Sequence, residues 1–469
     1  MPLNITLDTQ QKDPLFLQIA VRVRTAIAAG QLLPGAKLPS SRALAAQLAI
    51  ARGTVDAAYA LLAGEGAIET RRSAGTIVSG PVGRRIEVAE QSPLLFPGSP
   101  PTEAAGARPF QMGLPSLDAF PRKRWSNLTV QAARSLQPAD LAEADPSGTP
   151  ALRSEVAAYL GIARGVRCSP EQVLITGGYQ GALALIRNVL LRPGDPVWME
   201  DPGYHMTRLA LETAGARVVP LRVDGEGLRV AAGIKAAPKA RLAVVTPTHQ
   251  CPTGVSLSLP RRMELLAWAS EAESWIVEDD YDSEFRYVGR PLPSLKSLDR
   301  GQRVLYAGSF SKVLFPALRL GYLVVPPELA KAFQRASRSL TSGQPVLEQK
   351  VVAAFMRNGH FARHIRRMRL LYAERRRCLT AALKATFEDR VTVELAPGGM
   401  HLLARFPNAA DDTVLAKRSV QIGLAPTALS SLAMAHDAGQ GLLLGFTNIV
   451  PAEASSLVAR LASVIDRPA

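Results

Sequence analysis

In Ser309-Phe310-Ser311-Lys312 one serine stands three residues and another one residue ahead of a lysine, and Arg319 follows seven residues later. Asp279, inside Glu278-Asp279-Asp280-Tyr281, lies 33 residues before Lys312. A lysine amine can form a Schiff base with an aldehyde. A carboxylate can keep a pyridine nitrogen protonated, and an arginine beside serines can neutralise a phosphate. These are the requirements of a pyridoxal 5'-phosphate (PLP) pocket, with Lys312 as its expected catalytic residue. On spacing alone, Asp279, Asp280 and Asp282 all remain candidates for the carboxylate.

The elements that must position these residues read as strands alternating with helices. Short apolar runs occur at Val173-Leu174-Ile175-Thr176, Val197-Trp198-Met199-Glu200, Leu242-Ala243-Val244-Val245, Trp275-Ile276-Val277-Glu278 and Val304-Leu305-Tyr306, with longer helical stretches between them. Such a pattern predicts buried, parallel strands in an α/β sheet. Asp279 falls where one run ends, at the edge where open α/β sheets place ligands. Thr176-Gly177-Gly178-Tyr179-Gln180 follows another run and opens a helix over 181–191, so backbone N–H groups at a helix N-terminus face a glycine-lined space suited to a phosphate.

The first eighty residues read differently. Leu15 to Ala29 has helical apolar spacing and stops at Gly30, and Ser40-Ser41 caps a helix through Leu48. Ala51-Arg52-Gly53-Thr54 opens another helix to Leu62, and Ile68 to Val78, turning at Ser73-Ala74-Gly75, forms a two-stranded wing. The stretch Pro34 to Arg42, with Arg52-Gly53-Thr54-Val55, Ala58-Tyr59 and Gly75-Thr76, resembles the GntR-type winged helix-turn-helix. The resemblance implies that Ser41, Arg42, Arg52, Gly53, Thr54 and Gly75 form the DNA-binding set. Arg42 and Arg52 would meet phosphates or guanine edges, Thr54 would enter the major groove, and Gly75 would let the wing approach the backbone.

Residues 110–469 resemble the fold type I, aminotransferase-like PLP proteins, and the two parts together resemble the MocR/GabR subfamily of GntR regulators. Ser-Phe-Ser-Lys followed by Phe315-Pro316-Ala317-Leu318-Arg319-Leu320-Gly321-Tyr322 carries much of that likeness. It implies a phosphate site from Gly178, Tyr179, Gln180, Ser309, Ser311 and Arg319. It also implies Asp279 at the pyridine nitrogen, Tyr281 at the ring hydroxyl, Tyr204 over the ring, and His249 as a pocket-lining or loop-fixing residue. The expected fold class is multidomain: an α+β winged helix-turn-helix over 1–80, a linker rich in Pro, Gly, Ala, Glu and Ser over 81–109, and an α/β PLP-binding domain over 110–469. That domain combines a large, mostly parallel sheet with a smaller C-terminal lobe.

Some positions depart from the family pattern. Cys251, in His249-Gln250-Cys251-Pro252-Thr253-Gly254, stands where aminotransferases commonly place an asparagine for the ring hydroxyl. Glu143 occupies a place where relatives often carry a tyrosine that crosses to the partner's phosphate. No arginine occurs between Arg418 and Arg460, the region in which aminotransferases keep an arginine that forks onto a substrate carboxylate.

Composition sets the remaining bounds. The chain has 469 residues, 47% hydrophobic and 20% charged, enough for a small domain beside a large one. Its net charge of +15 is spread along the chain, with eight Lys/Arg against five Asp/Glu in residues 1–80, so charge alone does not locate a DNA-binding region. The densest basic run, Arg357 to Arg377, holds eight arginines and one glutamate on what reads as one long helix, either a solvated face or subunit contact or an auxiliary phosphate contact. Cys168, Cys251 and Cys378 lack CxxC spacing, so no disulfide framework and no metal site is expected. No signal peptide or membrane span is legible, which predicts a cytoplasmic protein.

The expected function is a PLP-dependent transcriptional regulator that binds double-stranded operator DNA as a homodimer. It would sense a small amine, an amino acid or PLP through aldimine exchange at Lys312, with at most weak transaminase activity. An active aminotransferase with a vestigial head is the alternative.

Overall fold

A computed structural model describes residues 7–8, 13–71, 75–79, 106–289, 292–407 and 409–466. The chain divides into two compact units, Met1–Thr102 and Glu103–Ala469.

In the smaller unit, α1 (Leu15–Ala28), α2 (Ser41–Leu48) and α3 (Arg52–Gly64) precede an antiparallel hairpin of β1 (Ile68–Arg71) and β2 (Gly75–Val78). The α2 start lies where the serines predict it, because Ser40 accepts a hydrogen bond from the Ala43 amide at 3.2 Å and satisfies an otherwise orphaned donor. Ile19, Val23, Leu44, Val55 and Leu62 are fully buried and tie the three helices together. Tyr59 on α3 donates to the Pro39 carbonyl at 2.8 Å, fixing α3 against the entry to α2. The expected wing turn includes Ser73 and Ala74, which lie outside the described residues; Gly75 adopts φ +80°, a conformation that favours glycine.

Most of the expected linker, 81–105, also lies outside the described residues. Its described end, 106–109, is bound to the larger unit: Asn448 donates to the Arg108 carbonyl at 2.7 Å, and the Ala425 amide donates to the Pro109 carbonyl at 2.8 Å.

The larger unit is built on an eight-stranded sheet of β3 (Val173–Thr176), β4 (Pro196–Asp201), β5 (Arg217–Asp224), β6 (Gly227–Leu228), β7 (Leu242–Val245), β8 (Trp275–Asp280), β9 (Val304–Ser309) and β10 (Gly321–Val324). Their order is β3-β10-β9-β8-β7-β4-β5-β6. The five strands expected from the sequence all run in one direction, but β3 meets β9 only through β10, which is antiparallel to both. Parallel neighbours hold from β9 through β5, so the sheet is mixed and mostly parallel. Because β3, β4, β7, β8 and β9 share a direction, Thr176, Asp201, Val245, Asp280 and Ser309 end at one edge. A smaller antiparallel sheet follows, with β11 (Thr392–Glu394), β12 (His401–Arg405), β13 (Thr427–Ala428) and β14 (Leu442–Gly445) in the order β11-β12-β14-β13.

The basic run differs from its expectation. Arg357 ends the helix Val346–Arg357, and the remaining arginines belong to His360–Phe387, whose faces are not all solvated. Arg375 is buried, pairs with Asp118 and donates to the Thr447 carbonyl at 2.6 Å. Arg376 lies over the Tyr287 ring at 4.4 Å. Glu143 is exposed. Among the described residues no helix is long and apolar enough to cross a membrane.

Candidate cofactor pocket and DNA-reading surface

Side chains alternate across a strand, and that alternation sorts the acidic run at the end of β8. Glu278 and Asp280 point to one side and are fully engaged there. Glu278 accepts from the Leu295 and Lys296 amides, each at 2.8 Å, and Asp280 takes the Arg164 guanidinium at 2.8 Å and the Tyr306 hydroxyl. Asp279 points the other way. It is 7% exposed, with no cationic side chain paired to it among the described residues, and the nearby Tyr179 hydroxyl is shared with Thr207 Oγ1 at 3.0 Å. Burial pushes its carboxyl well above the usual carboxylate range, Asp280, Asp282 and Glu200 push it further, and Lys312 draws it back. Asp282 is likewise set apart, its Oδ2 3.1 Å from His249 Nδ1. The geometry sets Asp280 aside, since it is paired to Arg164, and leaves Asp279 and Asp282 as buried carboxylates whose charges both act on Lys312.

Lys312 lies in the turn after β9 and donates from Nζ to the Gly113 carbonyl at 3.0 Å. Burial lowers its ammonium pKa, against smaller opposing effects of Cys251, Asp282 and Asp279, which favours the neutral, nucleophilic amine. Gly113 sits at φ +65°, a conformation that favours glycine, and its Cβ position faces Lys312 Nζ.

The phosphate-type groups converge at the same edge. The helix Gly178–Leu190 begins directly after β3 with Gly177 at its N-cap, no side-chain cap and no acidic residue in its first turn. Gly178 has φ +74° with open space where a Cβ would be, and Gln180 Nε2 is buried without a partner. An uncapped N-terminus with an orphaned amide donor fits an anion. Ser309 Oγ accepts from the Ser311 amide at 3.1 Å, and Arg319, exposed and at φ +52°, follows the short helix Pro316–Leu318. Tyr204 follows β4 with its ring centroid 6.3 Å from that of Tyr179, and burial raises its phenol to about 12.

His249 Nδ1 lies 2.8 Å from the Tyr281 hydroxyl, so the tyrosine implied for the ring hydroxyl already has a protein partner. The imidazole is 6% exposed, wedged against Gly254 and Gly399, and its Nε2 has no partner. His401, 5.6 Å away between centroids, is lowered to about 4 by burial and then by His249. Cys251 is buried, which pushes its thiol up. Glu200, at the end of β4, accepts from Thr246 N and Oγ1 and from Gln250, yet burial raises it to about 7. Sequence reasoning missed Gly113, Arg164, His401 and Gln344, whose side chain lines the approach to Gly177; each sits far along the chain from its partner, and only the Asp280 partner could have been sought, as a buried arginine.

The smaller unit places its expected residues on a surface. Ser41 and Arg42 open α2, Arg52, Gly53 and Thr54 open α3, and Arg42, Arg52 and Gly53 are exposed. Arg52 pairs with Asp56 at 3.4 Å, both side chains being at least half exposed. Lys37, outside the expected set, bridges to Ile77 of β2, and its Cε is 3.4 Å from the Cβ position of Gly75.

Fold and site together define a winged helix-turn-helix protein fused to an aminotransferase-type α/β unit. Residues 15–78 match the family of bacterial regulatory proteins, gntR family, and residues 127–430 match aminotransferase class I and II. The chain is 36% identical over 461 residues to the probable rhizopine catabolism regulatory protein MocR of Rhizobium meliloti, covering 95% of this chain and 93% of that protein. It is 33% identical to the pyridoxine biosynthesis transcriptional regulator PdxR of Corynebacterium glutamicum, covering 95% and 94%. Among solved structures, LysN, the α-aminoadipate aminotransferase of Thermus thermophilus, complexed with N-(5'-phosphopyridoxyl)-L-leucine, matches with a TM-score of 0.69 and 29% identity over 76% of this chain and 91% of that one. The chain belongs to the MocR/GabR subfamily of GntR transcriptional regulators, and its larger unit belongs to the aminotransferase class I and II family.

Proposed function

We propose that this chain is a PLP-dependent, DNA-binding transcriptional regulator that senses a small primary amine, an amino acid or PLP itself at Lys312. The observation that carries the reading is Asp279, a buried carboxylate without a cation beside a lysine whose neutral form is favoured, in a chain that begins with a GntR-type head. When bound, PLP supplies an aldehyde that condenses with amines and a ring that draws electrons.

The residues divide the work. Asp279 would pair with the pyridine nitrogen and favour its protonated form, and that cation would offset the cost of burying the carboxylate. Gly178, Tyr179, Gln180, Ser309, Ser311 and Arg319 bind the phosphate through backbone amides, hydroxyls and one guanidinium. Tyr204 would lie against the ring, and His249, 2.8 Å from the Tyr281 hydroxyl, would fix that tyrosine for the ring hydroxyl. Lys312 would hold the cofactor aldehyde through its amine, where an effector amine would compete with it, and an effector that binds one arrangement of the unit better would favour that arrangement. In the head, Ser41 and Arg42 meet phosphates, Arg52 and Thr54 reach base edges, and Gly53 and Gly75 allow close approach.

The reading takes residues 1–80, 81–109 and 110–469 as head, linker and sensor of a cytoplasmic protein. Two copies related by a two-fold axis suit paired operator half-sites. The relatives' names support regulation of small-molecule metabolism, and the phosphopyridoxyl ligand of LysN supports the cofactor.

The test adds PLP and then a panel of primary amines to purified full-length protein, while following cofactor absorbance, keto-acid release and operator binding by fluorescence anisotropy. An absorbance change that alters operator binding with little keto acid is expected. Turnover at ordinary enzyme rates without a change in operator binding would instead establish an aminotransferase with a vestigial head.

A further inference from the structure

We propose that the larger unit has a second small-molecule site, distinct from the Lys312 pocket, for an organic anion carrying two or more phosphate or carboxylate groups. A cavity of about 530 Å³ is lined on one side by Lys331, Gln334, Arg335 and Arg338. These residues fall at i, i+3, i+4 and i+7 on the helix Ala330–Thr341 and so share one face, while Phe333, Ala336 and Ser337 of that helix are buried. Across the cavity stand Arg153, on the helix Pro150–Arg164, and Asp145.

The charge balance is four cations against one carboxylate. Only Arg153 has an ion pair there among the described residues, a long one of 3.6 Å to Asp145, and its Nε is buried with no partner although the side chain is only 13% exposed. A nearly buried guanidinium with an unused donor, facing three exposed cations, is under-compensated. One monovalent anion could answer only part of that charge. A ligand with two or more anionic groups could engage Arg153 and the helix face together, each guanidinium offering a two-pronged contact.

The walls stand without a ligand. Ser337 Oγ donates to the Pro146 carbonyl at 2.5 Å and holds the Asp145–Ser147 loop on the helix. Arg153 donates to the Pro170 carbonyl and Gln334 to the Glu171 carbonyl, both at 3.4 Å. Those two contacts place one wall of the cavity beside the turn entering β3, and none of its lining residues belongs to the group around Lys312. A concave space of this size suits a small molecule, while a nucleic-acid backbone is tracked by an extended basic stripe.

The experiment uses full-length protein saturated with PLP, titrated calorimetrically at low salt with inorganic pyrophosphate, ATP and citrate, and with acetate as the monovalent control. At least one multivalent probe should bind once per chain, more tightly than acetate. The Arg335→Gln/Arg338→Gln pair should weaken that binding roughly tenfold or more, the Arg335→Lys/Arg338→Lys pair should weaken it less, and cofactor absorbance should stay constant. Pyrophosphate and ATP against citrate separate a phosphate ligand from a carboxylate one. Failure of all three probes to bind, equal binding of acetate, or binding indifferent to the glutamine pair would overturn the proposal. So would a glutamine pair that loses affinity only for nonspecific duplex DNA, which would make the groove a backbone contact.

Discussion

The pocket around Lys312 and the surface of the head present their functional groups in opposite ways. In the pocket, Asp279 and Glu200 are buried carboxylates whose protonated forms are favoured, and Gln180 Nε2 and His249 Nε2 are buried without partners. In the head, Arg42, Arg52 and Gly53 are exposed to solvent. A small-molecule site leaves a physical trace in the protein's own groups, because unsatisfied burial is costly. A surface that reads DNA leaves no such trace, because its partner replaces water at groups that were never deprived of it. The head is therefore identified by the pattern of its residues and the pocket by its energetics.

The contrast breaks most completely at Lys312. Lys312→Ala should abolish the effect of an effector amine on operator binding, while operator affinity without effector stays within a few-fold of wild type. Anisotropy titrations with and without the amine read both, and a full response at the same effector dose would leave the fold as a scaffold only.

Neighbouring aspartates sharpen the point inside the pocket. Arg164→Ala strips the buried Asp280 of its cation and should destabilise the larger unit by about 3–5 kcal/mol in denaturant unfolding. Asp279→Asn removes a carboxylate that has no cation, so stability should hold while PLP affinity, read by absorbance titration, falls. Loss of stability in both variants would mean that Asp279 has a structural partner.

In the head, Arg52→Ala should weaken operator binding by about 1–3 kcal/mol if the guanidinium reads a base edge, and Arg42→Ala should chiefly flatten the salt dependence. Unchanged affinity in both would remove these helices from DNA recognition.

The smallest effect concerns pH. Glu200 ionises at about 7 in the folded chain against 4.5 for an ordinary glutamate, so between those values the folded state holds the extra proton and stability falls as pH rises. Relative to wild type, Glu200→Gln should therefore gain about 1–3 kcal/mol between pH 5 and 8, measured as a change in unfolding free energy.

Local features were legible in the sequence where local chemistry decides them. Ser40 announces α2, the apolar runs announce β3, β4, β7, β8 and β9, and Lys312, Asp279 and the Gly177-Gly178 turn do reach one sheet edge. Long-range pairing was not legible. Nothing near Asp280 in the chain points to Arg164, 116 residues earlier, and nothing in the basic run marks Arg375 as the member that is buried against Asp118. The reversal of β10 escaped for a related reason, since a four-residue buried strand carries no signature of its direction.

Gly113 gives the resting lysine a further meaning. The backbone from Arg108 to Ser116 is held by Asn448, Ala425, Gly445, Tyr372 and Thr447. The Gly113 carbonyl in that stretch is held by the Lys312 amine, the group proposed to bind the cofactor. This segment is also the first described stretch after the connection from the head. A ligand that engages the amine would leave the Gly113 carbonyl without its donor, and faster amide exchange across 110–116 in the presence of PLP is the expected outcome.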